Sequence, residues 1–364
     1  MEERNYYLAF SLVKGIGPKT FANLLKYFKT AEKTWKANPT ELKKAGLGDR
    51  LIQKFEKARS ELDIKNYLEK LKQKKASFIA LCDKEYPKLL ASIDNPPIIL
   101  FVKGDISKVS LDKTIGIVGT RKITNYGREV TKLFSNDLAS NGFTIVSGLA
   151  MGVDSVASES AIEASGKTIA VLGSGVDLCF PSVNKPLYDK ILDNNGIIVS
   201  EFPLGFSPTK GSFPSRNRII AGLSKGVLVT EGAQDSGALI TADYAFKFNR
   251  KVFAIPGPIT SSLSVAPLKL IEKGAKLVTS ADDILKEFRI QGSELRIKTQ
   301  NSKVKGETKE EQKILSLLEN ESLHFDEIVR RLKLEPPLIG STLSILEVKG
   351  IIVKSLEGGF YKII

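Results

Sequence analysis

Six short apolar runs, TIGIVG, FTIVSG, TIAVLGSG, GIIVSEF, GVLVTEG and KVFAIPG, with a seventh short one at KLVTS, recur between Thr114 and about Phe288, separated by stretches of helical character. Strands that read as continuous apolar runs are buried on both faces. Alternating with helices, they build a parallel sheet covered by helices on both sides. In such a sheet ligands bind beyond the carboxyl ends of the strands, where loops lead into helix N-termini. The loops after these runs are therefore where function is sought.

The first run ends in Gly119-Thr120-Arg121-Lys122, which offers backbone amides, a hydroxyl and two cations. The helix after it is expected from roughly Tyr126 to Ala139, stopped by Asn141-Gly142. The second run ends in Ser147-Gly148-Leu149-Ala150-Met151-Gly152, a small-residue turn that lets a ligand backbone approach closely. Beside Arg121 it can hold a phosphate, although tight strand-to-helix turns need glycine whatever their function. The richest stretch is FPSRNRIIAGLSKGVLVTEGAQDSGALIT, from Phe213 to Thr241. Arg216 and Arg218 are able to donate forked hydrogen bonds to phosphate, and Phe213 offers a flat face for a base. The competing reading is an amphipathic helix whose arginines face solvent. Ser236 and Gly237 form a turn into the helix that follows.

At 364 residues, 42% of them hydrophobic, the chain is globular and long enough for two or three domains. Its net charge of +13 favours a polyanionic partner, because each cation placed on a phosphate releases a counterion. Residues 1–75 carry 18 Lys and Arg against 9 Asp and Glu, a net of +9. Cys82 and Cys179 are too far apart in sequence for a disulfide framework or a zinc motif. No apolar stretch is long enough for a leader or a membrane span, so the expected location is the cytoplasm, with no membrane partner.

Familiar catalytic and nucleotide motifs are tested and fail. Gly173-Ser174-Gly175-Val176-Asp177-Leu178 starts like a dinucleotide fingerprint but has Leu178 for its third glycine. Gly166-Lys167-Thr168 resembles the end of a P-loop, yet Ala161 stands where the earlier glycine is required. The single histidine, His324, lies outside the sheet region, so no Ser-His or Cys-His pairing is available there. Asp154, Asp177, Glu201, Glu231 and Asp235 lack metal-ligand spacing and are expected to cap turns and helix starts. These observations describe a phosphate binder with no catalytic residues, metal or cofactor.

The flanks differ in character. Residues 5 to about 75 look helical, and LVKGIGPKTFANLLKYF has the form of a helix-hairpin-helix element, with a weaker copy at ELKKAGLGDRLIQKF. Two αα turns capped by glycine are the alternative. DNPPIILFVKGD marks the entry to the main domain. Residues 290–308 are polar and suit a linker, and residues 309–364 read as three helices and a two-stranded wing around Gly358-Gly359. That pattern is a winged helix. Its third helix presents Ser341, Thr342, Ser344 and Glu347 with only Lys349 basic, which favours a protein contact or regulatory role over a place in a major groove.

The order IVGTR, YG, VSGLAMGVD, TIAVLGSGVD, FPSRNRIIAGLS, SGALITADYA, KVFAIPG resembles the DNA-processing protein A (DprA/Smf) family over roughly residues 80–285. The resemblance implies an extended Rossmann-like α/β sheet domain at residues 76–290. A helix-hairpin-helix or SAM-like helical domain at 1–75, a linker at 291–308 and a winged helix at 309–364 are expected around it. It implies a non-enzymatic mediator, homodimeric, that binds single-stranded DNA and loads RecA recombinase during natural transformation. Carried over residue by residue, the DNA-binding set comprises Gly119, Thr120, Arg121, Lys122, Ser147, Gly148, Lys210, Phe213, Arg216, Asn217, Arg218, Ser236 and Gly237. Two positions depart from the pattern: many members carry a histidine where Ser155 to Glu159 stand, and a Gly-x-Asn where Ala266-Pro267-Leu268 stands. The alternative readings are a nucleotide-sensing regulator and a phosphoribohydrolase, although Glu231 to Ala238 lacks the PGGxGT signature of the latter.

Overall fold

The computed structural model describes residues 1–288, 308–318, 321–349, 351–354 and 360–363. Each of the seven apolar runs forms a strand, and two more precede them. In chain order these are β1 (Ala76–Ala80), β2 (Ile99–Lys103), β3 (Thr114–Val118), β4 (Thr144–Ser147), β5 (Thr168–Val171), β6 (Ile197–Ser200), β7 (Gly226–Val229), β8 (Lys251–Ala254) and β9 (Lys276–Leu277). They make one sheet in the order β1-β2-β6-β5-β4-β3-β7-β8-β9. It is parallel from β6 through β9, and β2 and β1 extend it antiparallel beyond β6. From β3 the chain steps outward through β4, β5 and β6, then returns to lay β7 on the other side of β3. That reversal puts the topological switch point between β3 and β7, where the diverging loops leave a crevice.

The helices cover both faces. They are α1 (Glu3–Leu12), α2 (Pro18–Phe28), α3 (Ala31–Lys36), α4 (Pro39–Lys44), α5 (Asp49–Glu61), α6 (Ile64–Gln73), α7 (Lys88–Ala91), α8 (Asn125–Ser140), α9 (Val153–Glu163), α10 (Lys185–Asp193), α11 (Ser212–Leu223), α12 (Gly237–Lys247), α13 (Val265–Glu272) and α14 (Ala281–Phe288). Side chains alternate across each strand. Val118, Val227 and Val229 therefore pack with Ile219 and Ile220 of α11 and Ala242 of α12 on one face. On the other, Ile115, Ile117 and Leu228 meet Phe134 and Leu138 of α8 and Ala157 of α9. Helix α8 ends where the sequence places its stop: Asn141 is the C-cap, Gly142 has φ 80°, and the Phe143 amide donates to Leu138 O at 3.0 Å.

Helices α1 to α6 have no separate core. Leu8, Phe10, Phe21 and Phe55 are buried in the same cluster as Phe78, Ile99, Phe101 and Ile198 of the sheet. Arg4 bridges the two regions, pairing with Asp83 at 2.9 Å and donating to Phe78 O at 3.0 Å. Residues Met1–Gly292 accordingly form one compact unit. Both glycine turns join helices, at Gly15 to Gly17 and Gly46 to Gly48, and Gly15 and Gly46 have φ of 105° and 93°.

The second unit, Ser293–Ile364, contains α15 (Lys309–Leu318), α16 (Phe325–Leu332) and α17 (Pro336–Val348), with a sheet of β10 (Leu323–His324), β11 (Ile352–Lys354) and β12 (Phe360–Ile363) in the order β10-β12-β11. Pro336 opens α17 as expected of a proline at a helix start. The short β10 adds a third strand to the wing, while the Gly358-Gly359 turn and most of the linker lie outside the described residues. Among the described residues, no helix is long and apolar enough to cross a membrane.

Candidate nucleic-acid interface

The loop after β3 crosses the switch point and is held on both sides. The Thr120 amide donates to Glu231 O at 2.8 Å, beyond the end of β7, and Thr120 O accepts from the Val153 amide at 3.1 Å, at the start of α9. Glu231 is buried, and its carboxylate accepts from the Thr124 amide at 3.0 Å and the Thr124 hydroxyl at 2.6 Å. The loop passes so close to these partners that a Cβ at Gly119 would lie 2.5 Å from Val153 Cγ2 and 2.7 Å from Glu231 O. Glycine is required there for space. The same clamps leave Arg121 and Lys122 on the surface.

Opposite the loop stand the N-termini of α11 and α12. Ser236 caps α12 by accepting from the Ala238 amide at 3.3 Å, and Asn217 on α11 donates to Gly237 O at 3.2 Å, tying the two helix starts together. A helix N-terminus favours an anion, although in the first turn of α11 the Ser212 amide already donates to Thr209 O at 3.1 Å and Pro214 has no N–H. Between loop and helices lies a cavity of about 620 Å3, lined by Gly119, Thr120, Arg121, Lys210, Phe213, Asn217, Ser236 and Gly237 among others. The Arg121 guanidinium sits 5.4 Å from the centre of the Phe213 ring. Lys210 is exposed, and none of the ion pairs among the described residues engages Arg121, Lys122 or Lys210. The wall also carries carboxylates: Asp235 is exposed on it, and Asp154 is buried beneath it.

The geometry corrects the grouping of four residues, Ser147, Gly148, Arg216 and Arg218. Arg216 is 5% exposed and belongs to the cavity floor, where Nη1 donates to Gly148 O and Val171 O at the ends of β4 and β5. Gly148 is the space that the guanidinium occupies, since a Cβ there would lie 2.1 Å from Nη1. Asp154 accepts from the Gly148 amide at 3.1 Å. Burial raises its pKa and the Arg216 charge draws it back, while burial lowers the guanidinium to about 10, still cationic at neutral pH. Ser147 is fully buried and donates to Ile117 O at 2.7 Å, so it braces neighbouring strands. Arg218 leaves the other side of α11, ion-paired with Glu201 and donating to Asn95 O at 2.8 Å. Two residues apart on a helix means about 200° of rotation, so Arg216 and Arg218 cannot face one groove. Neither lies in solvent either.

The remaining carboxylates act on backbone and side-chain donors. Asp177 accepts from the Gly205 amide at 2.9 Å, and Glu201 accepts from the Ser215 hydroxyl at 2.9 Å. Where the family pattern has a histidine, Ser155 instead donates to Ala150 O at 2.6 Å, and Ser158 is buried. At the other departure, Ala266 and Pro267 are buried on α13, and the Ala266 amide donates to Gly232 O at 2.9 Å.

Residues 77–289 match the family described as DNA recombination-mediator protein A, and residues 299–359 match the DprA winged helix domain. The chain belongs to the DNA-processing protein A (DprA/Smf) family. Among curated relatives, it is 43% identical over 287 residues to Protein Smf of Synechocystis, covering 78% of this chain and 72% of that one. It is 39% identical over 264 residues to DNA processing protein DprA of Bacillus subtilis, covering 70% and 89%. The crystal structure of DprA from Streptococcus pneumoniae superposes with a TM-score of 0.70 at 35% identity, covering 79% of this chain and 99% of that one. A structure of the Helicobacter pylori protein, described as showing its single-stranded DNA binding mode, superposes with a TM-score of 0.52 at 31% identity, covering 58% and 95%.

In this DprA/Smf chain the sequence reading omitted one exposed aromatic beside Phe213. Phe180 is 48% exposed, and its ring centre lies 5.8 Å from that of Phe213. The signal was an aromatic in CFPSVN, directly after the glycine turn that failed as a dinucleotide fingerprint.

Proposed function

We propose that this protein is a recombination mediator that grips single-stranded DNA at the β3/β7 crevice, works as a homodimer, delivers the strand to RecA recombinase in natural transformation, and catalyses no reaction itself. The observation that carries the strand-binding reading is the pair of exposed cations Arg121 and Lys210 lining a cavity with the Phe213 ring, opposite two helix N-termini, with Lys122 exposed next to Arg121 in sequence. Cations and amides suit the sugar-phosphate backbone, and an aromatic face suits an unpaired base of any sequence. The single-stranded DNA binding described for the Helicobacter pylori relative supports it. RecA delivery and dimerisation rest on family membership, and are tested by RecA filament assembly on oligonucleotides with the protein present and by sedimentation.

Binding to oligonucleotides of increasing length, with duplex and mononucleotide controls, tests the central claim. Affinity is expected to rise with length and to exceed that for duplex. Arg121→Ala and Lys210→Ala are each expected to weaken binding, and to reduce the slope of log K against log salt by about 0.7 for each phosphate no longer neutralised. Unchanged slopes would place the strand elsewhere. Tight mononucleotide binding without strand affinity would make the cavity a small-ligand site, which its volume also accommodates.

A further inference from the structure

We infer that the loop after β6 and the first glycine hairpin form a second subsite, which carries the same single strand onward from the β3/β7 crevice; the inference rests on the strand-binding reading above. A second cavity, of about 680 Å3, opens where the hairpin between α1 and α2 meets the sheet. Its walls include Lys14, Ile16 and Pro18 from the hairpin and the start of α2, and Phe202, Pro203 and Phe206 from the loop. Phe202 and Phe206 stack with their ring centres 4.4 Å apart and their planes 9° from parallel, and both are half-buried. A stacked pair leaves each ring its outer face. Phe213 remains the aromatic of the first cavity.

The loop links the two cavities. Phe206 lines the second and Lys210 the first, and four residues reach at most about 14 Å even when fully extended, a span that a few nucleotides cover. The loop is also fixed at its middle. The Leu204 amide donates to the Tyr67 hydroxyl at 3.0 Å, the Gly205 amide to Asp177 at 2.9 Å, and Phe206 O accepts from the Gly175 amide at 2.9 Å. Tyr67 belongs to α6, so the helical region itself holds the loop in position. Charge selects the occupant. Lys14 on the wall and Lys19, next to Pro18, are exposed, and none of the ion pairs among the described residues engages either. The carboxylate on the wall, Glu201, is already paired with Arg218. Exposed cations beside an aromatic pair, one short loop from the strand cavity, match an unstacked base on a phosphate backbone better than they match an apolar peptide.

Strand length separates this subsite from the first. Binding is measured on oligonucleotides of about four to about sixteen nucleotides, the range of single-strand site sizes. Phe206→Ala is expected to leave the shortest oligomers that bind unaffected and to weaken the longest by about fivefold or more, with the salt slope unchanged. Lys14→Ala combined with Lys19→Ala, both at exposed positions, is expected to lower the slope of log K against log salt by about 0.7 per lysine for the longest oligomers, and to leave the slope for the shortest as it was. Normal binding of the shortest oligomers also shows that each variant is folded. Equal losses at every length, or no loss at any length from either variant, would overturn the inference, and the second result would assign the cavity to an occupant other than the strand. Failure of the underlying reading looks different: the unaltered protein would bind no oligomer, or would bind all of them without dependence on Arg121 and Lys210.

Discussion

Arg216→Ala is expected to lower the unfolding free energy of the Met1–Gly292 unit by about 3–5 kcal/mol, the range for removing one partner of a buried charge arrangement. Three effects act together. Gly148 O and Val171 O lose their donor, Asp154 loses the cation that offsets its burial, and the floor of the cavity is left hollow. Urea unfolding measures the loss. The pH dependence identifies its electrostatic part. Burial already raises Asp154, and without Arg216 it rises further. A carboxyl whose folded pKa is raised contributes stability that is full below its unfolded pKa and is lost as the pH climbs through the folded one. The deficit of Arg216→Ala against the unaltered protein should therefore narrow on acidification. Arg216→Met combined with Asp154→Asn removes both charges while keeping an acceptor for the Gly148 amide, and it should recover part of the loss. If Arg216→Ala leaves stability intact and abolishes strand binding alone, the arginine is a phosphate ligand instead of a floor.

What could be read in the sequence, and what could not, follows from the range of the interactions. The strands from β3 to β7 are buried on both faces, so their residues spell apolar runs whatever their neighbours, and these runs were legible without knowing the pairing; β9, at the edge, is exposed at both of its residues and gave only the short run KLVTS. Local turn chemistry was legible for the same reason: the Asn141-Gly142 stop of α8 and the Ser236 start of α12 are satisfied within a few residues. Side-chain direction was not. The grouping of Arg216 with Arg218 treated two positions of RNR as one binding element, although helical geometry sends them to opposite sides. Their partners, Val171, Gly148, Asn95 and Glu201, lie between 17 and 123 residues away, so nothing local shows that these cations are occupied. Ser147 misled similarly: its hydroxyl bonds to Ile117 O, 30 residues away on the adjacent strand. Arg121 and Lys210 could be anticipated because a cation with no internal partner stays exposed wherever the loop leads. The shared core of α1 to α6 with the sheet is again a matter of distant partners, as the 79-residue separation of Arg4 and Asp83 illustrates.

The same distinction makes Arg218 the most discriminating substitution on α11. Its side chain and that of Glu201 are 11% and 12% exposed, and the guanidinium joins three places: the end of β6 through Glu201, the loop before β2 through Asn95 O, and α11 itself. Burial raises the Glu201 carboxyl and Arg218 draws it down, with the Ser215 hydroxyl helping. Arg218→Ala strands that carboxylate in the interior and is expected to cost about 3 kcal/mol, near the lower end for a buried pair because some water still reaches it. Arg218→Lys should rescue little, since a single ammonium cannot reproduce a planar fork that serves a carboxylate and a carbonyl at once. The salt dependence of strand binding supplies the decisive contrast. For the folded fraction of Arg218→Ala the slope should match that of the unaltered protein, whereas Arg121→Ala should reduce it at nearly full stability. A reduced slope for Arg218→Ala with unchanged unfolding would return this arginine to the binding surface.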